Sequence, residues 1–181
     1  VDDAEKVDVV PSLKKPKLKV DTSKGEMQLK FKEIDGAIGY EIIRNGEVID
    51  QIEDTSYVDT SAKSDKTYKY EVRAVRYKKK PVYSKFSNKA KGILHAVQNF
   101  KIKTMDKDLV FTWNPSEYYT TYKLYNGDKL LTETDEGSFT LSDYKLDEVL
   151  DVSLVGYAED GAQSPDRDRK FIVTEEEMTS E

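Results

Sequence analysis

The sequence predicts an all-β protein made of two antiparallel β-sandwich domains in tandem. Three observations carry that prediction. Apolar and polar residues alternate strictly over short runs, turn-forming clusters break the chain every ten or so residues, and the whole pattern occurs twice. A period of two places alternate side chains on opposite faces of a strand, and short strands at regular spacing point to an antiparallel sandwich. No segment of ten or more residues sustains an apolar stripe at helical spacing.

The first strands read "PKLKV" and "MQLKFK", with Leu18, Val20, Leu29 and Phe31 on one face and lysines on the other. "YEIIRNGEVID" follows, where Asn45-Gly46 between two alternating runs signals a tight hairpin, because both residues tolerate positive φ. "YKYEVRAV" directs Tyr68, Tyr70, Val72 and Ala74 inward. In the second half "LVFTW", "YKLYNGDKLL" and "LDVSLVGY" show the same period, and "KSDKT", "DEGS" and "EDGAQSPD" are turn-rich breaks.

A shift of 82 residues lays Leu18 on Phe100, Phe31 on Trp113, Tyr40 on Tyr122, Ile42 on Leu124, Tyr57 on Phe139 and Val72 on Leu154. The Asn-Gly pairs alone are offset by 81, so the second hairpin is expected to be one residue tighter there. A period this long describes two domains and not solenoid units. The boundaries read as an N-terminal tail or linker over 1–12, domain 1 over 13–94, domain 2 over 95–174 and an acidic C-terminal tail over 175–181. A short connection, Gly92 to Ala96, is expected between the two.

Residues 39–88, with Gly39-Tyr40 opening a strand, Asn45-Gly46, "TSYVDT", "TYKYEVRAV" and "YSKFSN", resemble a bacterial fibronectin type III domain, an immunoglobulin-like sandwich. The resemblance implies a Trp on the second strand, matched by Trp113, where the first copy has Phe31. It also implies a tyrosine corner closed by a hydroxyl, matched by Tyr68, where the second copy has Leu150.

Composition narrows the chemistry. The chain has no cysteine, which removes disulfides, thiolate metal sites and cysteine nucleophiles, and His95 is its only histidine. His95 lies between the copies and reads as an ordinary linker side chain. No glycine-rich phosphate loop or regular calcium loop is present, so neither enzyme activity nor a cofactor is expected. No run approaches the roughly 20 apolar residues that span a bilayer. The acidic start lacks the basic and apolar regions of a secretory signal.

Charge is divided unevenly. Residues 13–94 hold 19 Lys and Arg against 12 Asp and Glu, residues 95–181 hold 9 against 19, and residues 1–12 hold 1 against 4. The local balances are +7, −10 and −3, within a net −6. Such asymmetry fits either solubility or a charged partner.

Two surfaces are candidates for binding. Lys17, Lys19, Lys30 and Lys32 share the outer face of the first two strands, and Lys78, Lys79 and Lys80 lie at a hairpin end. Together they could hold an anionic polymer, or simply guard a sheet edge against aggregation. In "EYYTTYKLY", Tyr118, Tyr119 and Tyr125 are candidates for exposure, as contact platforms for sugars or protein. Nucleic acid is not expected, since the lysines lack interleaved aromatics.

What the resemblance implies is a non-catalytic spacer or interaction module of a larger bacterial extracytoplasmic or cell-surface protein. Its partners would be neighbouring catalytic or adhesive domains. The alternative is direct binding of cell-wall polymer or polysaccharide through the lysine face or the tyrosines.

Overall fold

The computed structural model describes Ala4, residues 12–77 and residues 79–175. Its elements are all strands, and they fall into two compact units. Among the described residues no helix is long and apolar enough to cross a membrane.

The first unit contains β1 (Lys19–Asp21), β2 (Gln28–Lys30), β3 (Gly39–Arg44), β4 (Glu47–Ile52), β5 (Ser56–Val58), β6 (Tyr68–Tyr77), β7 (Pro81–Tyr83) and β8 (Ala90–Gly92). One sheet has the order β1-β2-β5 and the other β4-β3-β6-β7, all antiparallel. β8 pairs with the start of β6 and β7 with its end. The last strand of the sandwich is therefore split in two. The break is bridged by side chains: Val72 and Ala74 donate their N–H groups to the hydroxyls of Ser87 and Ser84, both at 2.9 Å. The same serines return backbone bonds to the carbonyls of Val72 and Ala74, so no amide there is stranded.

Alternation places the core as expected. Leu18, Leu29 and Phe31 from one sheet meet Tyr40, Ile42, Tyr70, Val72 and Ala74 from the other, all buried. Phe31 and Tyr40 form an edge-on ring pair with centroids 4.7 Å apart. Gly92 belongs to this packing and not to a connection. A Cβ there would come within 2.3 Å of Met27 Sδ and 2.8 Å of Val20 Cγ1, so only glycine lets β8 press against β1.

The second unit contains β9 (Gln98–Met105), β10 (Asp108–Asn114), β11 (Thr121–Asn126), β12 (Lys129–Thr134), β13 (Ser138–Leu141), β14 (Val149–Tyr157) and β15 (Arg167–Ile172). Its sheets are β13-β10-β9 and β12-β11-β14-β15. Between them lies a core of Val97, Phe100, Leu109, Phe111, Trp113, Tyr122, Leu124, Val152 and Leu154. Trp113 faces Tyr122 at 5.7 Å, the counterpart of Phe31 and Tyr40. Both units are thus antiparallel β-sandwiches.

The second hairpin is not one residue tighter: both loops hold two residues, between Arg44 and Glu47 and between Asn126 and Lys129, and the Asn-Gly pair sits one place earlier in the second. Asn45 and Gly46, at φ 50° and 86°, are both loop residues, the pattern of a type I′ turn. In the second hairpin Asn126 is still paired, with Lys129, and the loop is Gly127-Asp128 with only Gly127 at positive φ, 56°. That is the II′ pattern, with glycine first. The asparagine side chains keep one task despite the shift: Asn45 Oδ1 accepts from the Lys69 N–H and Asn126 Oδ1 from the Asp151 N–H, both at 3.0 Å.

Candidate functional site

On the first unit, β1 and β2 set Lys19 directly opposite Lys30. Both are exposed, as are Lys17 and Lys32 just beyond the paired residues. Ser56 is the next partner across, opposite Lys30 on β5. Lys79 and Lys80 are exposed at the β6–β7 hairpin, and Lys78 lies outside the described residues. That hairpin belongs to the other sheet, so the lysines expected as one charged surface are divided between two sheets.

The tyrosines of the second unit do not make a single platform either. Tyr118 is 47% exposed and stacks flat on His95, with centroids 3.6 Å apart. Tyr119 was expected at the surface but is half-buried. Its ring lies against Gly156, and its hydroxyl donates to the His95 carbonyl. Burial pushes that hydroxyl up to about 12. Tyr125 is half-buried at the far end of β11, near Tyr157, whose hydroxyl burial pushes up to about 12. Lys123 Nζ sits 4.7 Å from the centre of the Tyr157 ring. Adjacency in the sequence did not reveal that Tyr119 turns inward, because its covering groups lie 24 and 37 residues away.

A more organised surface lies on the outer face of the larger sheet of the first unit. Arg73 on β6 and Glu41 on β3 are cross-strand partners, and Arg73 Nε donates to Glu41 Oε2 at 2.7 Å. Glu41 is buried. The guanidinium lies 3.7 Å from the centre of the Tyr83 ring and 5.1 Å from that of Phe86. Nearby on this sheet the Tyr77 hydroxyl bonds with the Gln51 side-chain amide at 2.7 Å. Tyr77, Tyr83 and Phe86 remain 49%, 38% and 46% exposed. The arrangement follows from the split strand. Ser84 and Ser87 turn inward to complete the ladder, which sends Tyr83 and Phe86 outward on either side of Arg73. The signal in the sequence is "YSKFS", two serines three apart, each following an aromatic.

Behind this sheet the buried Asp59 pairs with Arg44, which is partly exposed. Asp59 Oδ2 accepts from Arg44 Nη1 at 2.9 Å and from the Tyr70 hydroxyl at 2.6 Å. The hydrogen bond to Asp59 raises the Arg44 pKa. Burial, reinforced by the bond to Asp59, raises that of Tyr70 well above the ordinary phenol value. Tyr68 is buried beside it, with Arg44 5.1 Å from its ring centre. Tyr70 is thus anchored on this strand through its hydroxyl and a carboxylate.

Chemically, the face offers flat aromatic area and a guanidinium already held by a carboxylate. It can stack and hydrogen-bond, and rigid aromatics flanking a fixed arginine are the side chains that dominate protein interfaces. No described group of three or more His, Cys, Asp or Glu residues is placed to hold a metal ion.

No family model and no curated protein matches the chain. Among solved structures it is similar to the chicken CNTN1 FN1–FN3 domains, at 15% identity and a TM-score of 0.40, over 91% of this chain and 68% of that one. It is also similar to the central fibronectin-III array of RIM-binding protein, at 11% identity and a TM-score of 0.36, over 94% of this chain and 71% of that one.

Proposed function

We propose that the chain is a non-catalytic interaction and spacing module of a larger bacterial, extracytoplasmic or cell-surface protein. In this reading it positions a neighbouring catalytic or adhesive domain. The observation that supports it is the ladder of Glu41, Arg73, Tyr83 and Phe86, a rigid solvent-facing surface with no reacting group in it. Exchanging the chain, in its parent protein, for two unrelated β-sandwich domains is the test. Turnover of a small soluble substrate by the neighbouring domain is expected to survive, while attachment to its macromolecular target weakens. Loss of that turnover would reject the reading, because the chemistry would then lie in this chain.

The alternative, direct binding of an anionic wall polymer or polysaccharide, is favoured by one observation. Lys19 and Lys30 are held opposite each other although like charges in that relation repel. Retention on purified wall polymer should fall steeply with salt and disappear when Lys17, Lys19, Lys30 and Lys32 are reversed to Glu. Unchanged retention after that reversal removes the alternative.

A further inference from the structure

In the second unit the two sheets part along the seam between their edge strands, β9 and β15. The first unit closes the corresponding seam. There Asn88 takes both the N–H and the C=O of Leu18, at 2.9 and 3.0 Å, and Gly92 lets β8 approach Val20. At the repeat shift of 82, Leu18 corresponds to Phe100 and Gly92 to Thr174. Among the described residues the second seam is fastened at one end: Arg167 Nε donates to the Val97 carbonyl at 2.9 Å, and Arg169 Nη2 to the Phe100 carbonyl at 3.4 Å. Inward-pointing charges of this kind guard a sheet edge.

Beyond Arg169 the guard stops and a groove of about 1410 Å³ opens. Its apolar lining includes Ile102, Leu109, Phe171 and Val173, which pack on the core. Around it stand Lys101, Lys103, Lys107, Arg169 and Lys170, against Asp106 and Glu175. Residues 95–181, with a balance of −10, thus gather five of their nine cations on one groove. β9 and β15 are the edges of their sheets, so each offers a row of backbone groups along the groove. Because the Phe100 carbonyl faces the seam, strand alternation turns the backbone of Ile102 and Thr104 the same way.

We propose that this groove binds an extended acidic peptide segment of a partner protein. The segment adds as a strand to the free edge of β9, with alternate apolar side chains on the groove floor and acidic ones toward the lysines. Main-chain pairing supplies affinity, and the floor and cations supply the choice of sequence. The apolar lining and the paired edges favour a peptide over a polysaccharide, which would use only the cations.

The probe is the blocked octapeptide of alternating Val and Glu, titrated into the full chain while backbone amide resonances are followed. Shifts are expected at residues 101–105 and 170–174. Affinity should fall at least tenfold in Lys101→Glu/Lys103→Glu, and also in Thr104→Pro. Proline at that position removes an outward donor and leaves the ladder to β10 in place. Should Thr104→Pro not fold, as judged by Trp113 emission, the same loss is expected with a probe N-methylated at alternate residues. No binding of the octapeptide overturns the proposal. So does equal binding of the Val-Lys octapeptide, indifference to both proline and N-methylation, or equal affinity for a heparin octasaccharide.

Discussion

The guanidinium of Arg73 lies between Glu41 and the face of Tyr83, 2.7 Å from the carboxylate and 3.7 Å from the ring centre. Glu41 is buried, so removing Arg73 leaves a desolvated carboxylate without its counter-charge. Breaking such a pair costs several kcal/mol, less where the partner retains some solvent, as the Arg73 side chain does at 24%. Arg73→Ala should therefore destabilise the first unit by about 3 kcal/mol, and Tyr83→Ala by about 1 kcal/mol through the lost cation–π face. Denaturant unfolding checks both. Equal costs would mean that the ring, and not the carboxylate, holds the arginine.

Phe31 and Trp113 occupy the same place in the repeat, and both are buried. Phe31→Ala should cost about 3–5 kcal/mol, the range for emptying an aromatic site in a core. Trp113→Phe should cost much less, about 1–2 kcal/mol. The buried Nε1 of Trp113 has no hydrogen-bond partner among the described residues, so no bond is lost with the indole. A larger loss in the second variant than in the first would undo the equivalence of the two positions.

The strands and the core were legible because alternation is a local property. Leu29, Tyr40, Ile42, Val72 and Leu154 can be assigned to the inner face from their immediate neighbours. The Asn-Gly hairpins were legible for the same reason, although the shift from a I′ to a II′ pattern depends on pairing across the turn. The ladder was not legible. Arg73 and Glu41 sit at outward positions of their strands and read as solvated charges, and only the serine break brings Tyr83 and Phe86 onto them. Nor was the groove: whether a seam closes depends on Asn88 reaching Leu18, or Arg167 reaching Val97, each 70 residues away in the chain. Of the lysines, Lys19 and Lys30 are strand residues and Lys17 and Lys32 lie just beyond the paired ones; the division of the lysines between sheets follows from topology.

Tyr70 makes the stability of the first unit sensitive to alkali. Its folded pKa is raised above the unfolded value near 10 by burial and by Asp59. Below pH 10 the tyrosine is protonated in both states and its bond to Asp59 is fully present. Above pH 10 the unfolded chain releases the proton and the folded chain keeps it, so the unfolded state binds fewer protons and stability falls as pH rises. The slope approaches about 1.4 kcal/mol per pH unit for one such group. Tyr70→Phe should lower stability at neutral pH and remove this part of the slope between pH 10 and 11.5. An unchanged slope in the variant would assign the alkaline sensitivity to other tyrosines, such as Tyr119 and Tyr157.

Lys19 and Lys30 allow stability and binding to be separated. Like charges directly opposite on neighbouring strands are unfavourable, by up to about 1 kcal/mol for an exposed pair. Lys30→Glu turns this contact into an attractive one and should stabilise the first unit by about 0.5 kcal/mol at low salt. The gain should shrink as ionic strength rises and the Debye length falls below about 10 Å. If the lysine face serves an anionic ligand, the same substitution must weaken retention on wall polymer while it raises the melting temperature. That opposition is what a binding role predicts, since a purely protective role needs charge at the edge but not charge of one sign. A stabilised variant with unaltered retention would leave the lysines as edge guards. A destabilised variant at low salt would show that the two side chains do not share one face.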